Sequence, residues 1–219
     1  PLPLIAALIS VDLAYYWLHR MSHSRRLPWL LLHRPHHMTE NMIIPTVQPV
    51  FVAAPLFIVF AVPLQLLVGI STKVFNPDPM IVEALILRLF THTLGIYSHC
   101  AAYYDQMQKS VLLRRLSAFF GVGNYHYVHH SARKEHGMIN LGNNFWMLWD
   151  RVFGTYVEPP DERPPTGLTN NPPLYMNPLR LALAGMMQIA YELQCNPLQL
   201  WPRILFGDSY YEPPVSRDF

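Results

Sequence analysis

Two long apolar runs constrain the fold of this chain more than any other feature of its sequence. Residues Pro49 to Ile70 contain Gln65 as their only strongly polar member, and a second run extends from Met80 to Tyr104. A helix needs about 20 predominantly apolar residues to cross a bilayer. Because lipid offers the backbone no hydrogen-bond partner, such segments fold as helices or as closed barrels. The two runs therefore predict a transmembrane helical hairpin.

The composition also favours a membrane protein. Charged residues make up 14% of the 219 residues, whereas soluble domains carry about 25%. The formal net charge of +2 gives no reason to expect a nucleic-acid partner. The apolar stretch from Leu2 to Leu18 contains Asp12, and we interpret it as the end of a further membrane helix. We expect residues 1–219 to form a single domain whose N-terminal membrane segment is truncated.

Basic residues flank the hairpin and predict its orientation. Those before it are Arg20, Arg25, Arg26 and Arg34, and those after it are Lys109, Arg114, Arg115, Arg133 and Lys134. The link between the two runs carries only Lys73. By the positive-inside rule, both flanks lie in the cytoplasm. We therefore predict an all-α, multi-pass integral membrane fold in which one or more transmembrane hairpins are capped by a cytoplasmic helical domain.

Three features outside the hairpin carry smaller expectations. Residues Glu158 to Pro178 are rich in proline and asparagine, which predicts an irregular surface segment. Asn177 to Gln194 has the pattern of an amphipathic helix that lies on the membrane, and the tail after it is expected to wrap around the cytoplasmic domain. The two cysteines, Cys100 and Cys195, match no metal or disulfide framework, so we expect ordinary buried thiols.

Eight of the eleven histidines fall into three spaced clusters. The clusters are His19 with His23, then His33, His36 and His37, and finally His126, His129 and His130. Helix positions i, i+3 and i+4 share a face, so each cluster directs its imidazoles to one side. The hairpin returns the third cluster to the face of the first two. Since imidazole suits iron, zinc, copper and nickel, we predict one shared site for two metal ions at the cytoplasmic membrane boundary.

The remaining histidines have weaker assignments. His99 lies near the cytoplasmic end of the second apolar run and is a candidate ninth ligand. His92 is expected to be a polar helix-packing residue, and His136 to be solvated in a charged loop.

Other metal chemistries lack their signatures here. The sequence has no HExxH motif of zinc proteases, no Glu-x-x-His pair of carboxylate di-iron bundles and no zinc deaminase signature. No nucleotide-binding glycine motif is present either, so electrons would come from an external donor. The alternatives left open are a b-type haem electron carrier, a non-catalytic membrane metal-binding or transport protein, and a scaffold that has lost catalysis.

The histidine clusters resemble the three boxes of the fatty acid hydroxylase/sterol desaturase superfamily. The segment from Asp12 to His23 is similar to the first box, and the other two clusters are similar to the second and third. The segments Asn140-Leu-Gly142 and Trp149-Asp-Arg-Val-Phe-Gly-Thr155 resemble the closing signature of the superfamily. The spacing is most similar to the alkylglycerol monooxygenase-like branch.

This resemblance implies a metal set and an activity. The eight box histidines would be catalytic ligands of two non-haem iron ions, with His99 as a ninth metal ligand and zinc as a substitute metal. Asp12, Asn140 and Asp150 match positions that support the ligands or the structure.

The implied enzyme is an O2-dependent oxidoreductase, either a monooxygenase that hydroxylates its substrate or a desaturase. The substrate would be a sterol, a fatty acyl chain or an ether lipid. A reductase, a cytochrome or a small reductant would supply electrons. The implied location is the endoplasmic reticulum membrane in a eukaryote or the inner membrane in a bacterium.

Overall fold

The computed structural model of the chain describes residues 2–38, 70, 73, 74, 86, 98–142, 145–168 and 178–218. Nearly all of the predicted hairpin lies outside these residues, and so does His92. None of the helices in the described ranges combines the length and the apolar character that a bilayer crossing requires.

The prediction of an all-helical chain is confirmed for the described residues. Their helices are α1 (Leu2–Ser24), α2 (Arg26–Pro28), a π-helical turn (Trp29–His33), α3 (Arg34–His37), α4 (Ala101–Gln108), α5 (Val111–Phe120), α6 (Asn124–His129), a 3-10 turn (Lys134–His136), α7 (Leu148–Phe153), α8 (Pro178–Cys195), a second 3-10 turn (Leu198–Leu200) and α9 (Trp201–Phe206). The same residues contain no β-strand, only two isolated β-bridges that join 25 to 208 and 131 to 166.

The sequence predicted that the second apolar run continues as one helix to Tyr104, but the structure shows a break before Ala101. Ser98 and His99 form a turn, and Cys100 is extended (φ −100°, ψ 119°) before α4 begins at Ala101. The Ser98 hydroxyl accepts a 2.6 Å hydrogen bond from the backbone N–H of Gly123, just before α6. This contact fixes the turn against α6, so His99 lies on a turn and not on the predicted span.

A compact aromatic core joins α4 to α6. Tyr104, Tyr127, Val128 and Ile139 form a buried cluster, and the Tyr104 hydroxyl donates to the carbonyl of Pro160 at 2.5 Å. The segment 158–168 that this bond anchors contains no helix, as the sequence predicted. It is nevertheless not all surface, since positions 164, 166 and 167 are buried.

Helix α8 follows the predicted amphipathic helix closely and packs against the backbone of the π-helical turn. A Cβ atom on Gly185 would lie 2.0 Å from the carbonyl oxygen of Leu30, which is shorter than any real contact of this kind. The glycine therefore allows the two backbones to touch. Cys195, the last residue of α8, is exposed, and Cys100 is only half-buried. The expectation of two buried thiols was wrong because Cys195 lies where the helix ends.

A buried ion pair holds the C-terminal part of the chain to α2. The Arg26 guanidinium donates to both Glu192 carboxylate oxygens, at 2.5 Å and 2.7 Å, and the two side chains are 2% and 0% exposed. Arg26 Nε donates to the carbonyl of Tyr211, and Ser216 donates to Glu192 at 2.6 Å. Arg26 therefore joins α2 to α8 through Glu192 and to the tail through the Tyr211 carbonyl.

Candidate metal centre

Nine histidines converge, and eight of them form two neighbouring groups of four. The first group is His19, His23, His33 and His129, and the second group is His36, His99, His126 and His130. Within each group the ligand atoms lie within 4.8 Å of one another. His37 forms a further set with His129 and His130, and its ring stacks on that of His130 at 4.2 Å. The structure thus brings together the eight box histidines and His99.

Each helical element carries its histidines on one face. Helix α1 carries His19 and His23 one turn apart, and α6 carries His126 and His129. The π-helical turn ends at His33 and α3 follows directly. Single π-helical turns occur often at functional sites.

The spacing of the Nε2 atoms suits shared metal ions. In the first group, His33 Nε2 lies 2.8 Å from His23 Nε2 and 3.0 Å from His19 Nε2. In the second group, His126 Nε2 lies 3.0 Å from His99 Nε2 and 3.1 Å from His130 Nε2. Two imidazole nitrogens bound to one ion at about 2.1 Å, at right angles, would lie about 3 Å apart. The donor set therefore fits two imidazole-ligated metals.

Backbone carbonyls fix the tautomer of two histidines in the first group. His19 Nδ1 donates to the Leu141 carbonyl at 2.6 Å, and His129 Nδ1 donates to the Ile139 carbonyl at 2.8 Å. Since a carbonyl oxygen only accepts, both Nδ1 atoms carry the proton and both Nε2 atoms keep a lone pair. Metal-bound histidines commonly make this kind of outer hydrogen bond.

Burial keeps the imidazoles neutral. It lowers the pKa of His19 to about 4, although the bond to Leu141 opposes this shift. Burial, and then the proximity of the other imidazoles, holds the pKa well below its usual range for the remaining box histidines, namely His23, His33, His36, His37, His126, His129 and His130. A neutral imidazole is the form that binds a metal, so these groups lose no metal affinity to protonation near neutral pH.

Asn140 and Asp150 shape the backbone that carries the two carbonyls. Asn140 has a left-handed φ of 50°, and its amide donates to the carbonyls of Tyr125 and Val157 at 3.2 Å and 3.0 Å. The Asp150 carboxylate accepts 2.7 Å hydrogen bonds from the N–H groups of Leu141 and Gly142. Both side chains therefore act on the histidines through the 139–142 backbone and not by direct contact.

Asp150 is fully buried in tightly packed surroundings. Burial raises the pKa of its carboxyl, and the three hydrogen bonds from Thr155, Leu141 and Gly142 partly oppose that shift. A Cβ atom on Gly142 would lie 2.7 Å from Asp150 Oδ2, so this position requires glycine. Asp12 is buried in α1, seven residues before His19 and on the same helix face.

Sequence reasoning missed the two carbonyls and misjudged one histidine. The carbonyls of Ile139 and Leu141 leave no side-chain signal in the sequence. His136 was expected to be solvated, but it is only partly exposed. Its Nδ1 is enclosed without a hydrogen-bond partner among the described residues. His136 is the last residue of the 3-10 turn.

A helical protein with clustered neutral imidazoles of this kind is a candidate metalloprotein. A family profile described as "Fatty acid hydroxylase" matches residues 4–155. The chain belongs to the fatty acid hydroxylase family, as the three histidine boxes predicted.

Three curated relatives of the chain are alkylglycerol monooxygenases, which is the branch that the histidine-box spacing resembles. The chain is 26% identical to the alkylglycerol monooxygenase of Homo sapiens over 167 residues. The matched region covers 75% of this chain and 33% of the relative. The chain is 27% identical over 165 residues to that of Danio rerio, with 75% and 32% covered. For that of Xenopus tropicalis the identity is 26% over 163 residues, with 74% and 32% covered. The chain thus spans about a third of the length of these relatives. No solved structure matches it.

Proposed function

We propose that the chain is the metal-binding part of a membrane-bound, O2-dependent di-iron lipid oxygenase. The observation that carries this proposal is the convergence of nine histidines, eight of them in two groups of four. Within each group, neighbouring Nε2 atoms lie about as far apart as two imidazole nitrogens bound to one metal ion. Membership of the fatty acid hydroxylase family supports the choice of a lipid substrate.

Each histidine group would hold one iron ion, and His37 lies between the two groups. Iron, when bound, would supply O2 activation and hydrogen removal from an unactivated C–H bond. We choose iron over zinc because imidazole binds both metals, whereas zinc has no redox chemistry.

The chain itself would orient and enclose the site. The Leu141 and Ile139 carbonyls hold His19 and His129 with their Nε2 lone pairs directed inward. Asp150 and Asn140 hold those carbonyls in place through the backbone. The imidazoles of His19, His129 and His130 are buried, and a site closed to water would limit side reactions of reactive species.

The substrate, the electron donor and the membrane topology complete the proposal. The substrate is a sterol, a fatty acyl chain or an ether lipid, and the names of the relatives make alkylglycerols the first class to test. Electrons come from an external reductase, cytochrome or small reductant. The site lies on the cytoplasmic side of a multi-pass protein, in the endoplasmic reticulum of a eukaryote or the inner membrane of a bacterium.

Turnover with isotopically labelled oxygen tests the proposal. Detergent-purified, iron-loaded chain is incubated with alkylglycerol, fatty acyl and sterol lipids, a reductant and 18O2, and products are analysed by mass spectrometry. We expect incorporation of 18O into one lipid class, or loss of two hydrogens if the reaction is a desaturation, and neither product from His129→Ala. Metal transport across the vesicle membrane by the wild-type chain, without any lipid product, would instead support the transport alternative.

A further inference from the structure

Helix α5 and the turn before α7 form an exposed surface whose chemistry the metal centre does not use. Leu112 and Leu116 lie on the outer face of α5, and Leu112 is 66% exposed. Phe119 continues the same stripe at helical spacing, and its ring contacts that of Trp146 at 4.5 Å. We call this surface, made of Leu112, Leu116, Phe119 and Trp146, the α5 stripe.

The turn holds Trp146 outward by a strained backbone. Phe145, Trp146 and Met147 are three successive non-glycine residues in the left-handed region, with φ between 48° and 57°. Such residues cost free energy and persist only where the surroundings enforce them. Here the Trp146 N–H donates to the Phe119 carbonyl at 2.9 Å, and Arg151 Nε donates to the Trp146 carbonyl at 2.9 Å. The indole is nevertheless 57% exposed.

Exposed cations accompany the α5 stripe, and Arg115 lies beside it, three residues after Leu112. Arg114 and Arg115 are exposed on α5, and Lys109 is exposed just before it. No carboxylate in the described parts of the chain forms an ion pair with any of the three. An apolar stripe beside unpaired cations has the chemistry of a helix that lies in the headgroup region of an anionic membrane. Arginine can keep its guanidinium among the phosphates while its stem covers apolar surface.

The stripe is rigidly joined to the histidine helix. Helix α5 ends at Gly121 in the left-handed region (φ 61°), and α6 begins at Asn124. The buried Ser117 side chain donates to the carbonyl of Val122 and lies against Gly123. Any surface that fixes α5 would therefore also fix the height of His126 and His129 above that surface.

We propose that the α5 stripe is a membrane-docking surface that inserts into an anionic lipid headgroup layer and sets the depth of the metal centre. This inference rests on the proposed membrane function and adds a second contact with the bilayer besides the predicted hairpin. A second copy of the chain is the main competing occupant, and the test distinguishes the two.

Spin-label accessibility measures the docking directly. The full chain, with Cys100→Ser and Cys195→Ser, receives a nitroxide label at Leu116→Cys or, as control, at Glu162→Cys, an exposed position of the 158–168 segment. Each is reconstituted into vesicles with and without anionic lipid. With anionic lipid, we expect O2 dissolved in the bilayer to be the stronger relaxation agent for the label at 116. For the label at 162, we expect a water-soluble nickel chelate to be the stronger relaxation agent.

Charge variants test the role of the arginines. Arg114→Gln with Arg115→Gln should shift the label at 116 toward the nickel chelate, because each cation near an anionic surface contributes about fivefold to partitioning. Arg163→Gln, which removes an exposed partner of Asp105, should leave the label unchanged. Circular dichroism of each variant checks that the helices are retained.

The outcomes separate this inference from the function. A chain that floats with vesicles and keeps its metal, while the label at 116 behaves like that at 162, overturns the docking surface and leaves the oxygenase proposal intact. Spin–spin broadening at 116 that disappears on dilution in lipid assigns the stripe to a second copy and also overturns the inference. A chain that fails to float contradicts both the membrane location and the docking surface.

Discussion

The two histidine groups are oriented in different ways. In the first group, backbone carbonyls at 139 and 141 hold the rings of His129 and His19, and Asp150 holds that backbone. In the second group, His99 comes from a turn that Ser98 fixes to the start of α6. The comparison shows that similar imidazole clusters can be positioned either by hydrogen bonds to the rings or by anchoring the segment that carries them. Substitutions should therefore affect the groups separately.

Removing a ligand from one group should have the largest effect. We expect His33→Ala to remove the metal of the first group and His126→Ala that of the second, each leaving about one metal per chain. In both variants the rate of lipid product formation should fall by more than the ~10–100-fold that loss of a hydrogen-bond partner of a metal ligand costs. Metal analysis and turnover on the same preparations provide the measurement. Loss of both metals from either variant would mean that the groups are not separate sites.

Breaking the buried ion pair should destabilise the whole fold. Arg26 lies between His23 and His33, and Arg26→Met leaves the Glu192 carboxylate buried without its partner. Loss of one partner of a buried pair costs about 3–5 kcal/mol of unfolding free energy. Thermal or denaturant unfolding measures this cost.

The pair of Arg34 with the exposed Asp218 offers a control. Asp218 is 57% exposed, and surface pairs contribute about 0–1 kcal/mol. Asp218→Asn should therefore leave stability nearly unchanged. Equal effects of the two substitutions would show that the Arg26 pair does not hold the tail in place.

Asp150→Asn should weaken the first group selectively. Leu141 and Gly142 donate to different oxygens of Asp150, and in asparagine one of these oxygens is replaced by an NH2 group that cannot accept. The Leu141 carbonyl therefore loses its fixed direction toward His19. Outer contacts of this kind are worth about 10–100-fold in metal affinity. Chelator competition should show this loss for one of the two metals. Asp161→Asn, at an exposed carboxylate, is the control, and an equal loss at both metals would refute the selectivity.

Ser98→Ala should have the smallest effect and should act on the second group. The substitution leaves the N–H of Gly123 without its 2.6 Å acceptor, and an unsatisfied buried donor costs about 1–3 kcal/mol. We expect a small drop in melting temperature and a weaker second metal. Ser10→Ala removes only a bond within α1 and should change neither. A weaker first metal in Ser98→Ala would contradict the division between the groups.

The sequence predicted what depends on side-chain identity and helical spacing. The three histidine clusters, the amphipathic helix near 177–194 and the family all followed from residue patterns, and the structure gathers the clustered histidines as their spacing requires. The resemblance also singled out Asn140 and Asp150, but it could not show that they act through the backbone between them.

The failures share one physical cause. Periodicity describes a regular helix, but it does not show where an apolar run breaks, and the run to Tyr104 breaks at Ser98–Cys100. Local charge did not show that Arg26 is buried against Glu192, since that partner is 166 residues away. Long-range contacts and irregular backbone decide both features, and neither leaves a short-range pattern.

The metal content of the purified chain tests the central claim most directly. Detergent-purified wild type, prepared without added metal or chelator, is compared with the His36→Ala/His129→Ala double variant by elemental analysis. The two-group account predicts about two iron ions per chain in the wild type, with zinc as the substitute if iron is not loaded, and loss of both in the double variant. Metal that is absent from the wild type, or unchanged by the two substitutions, would contradict the account.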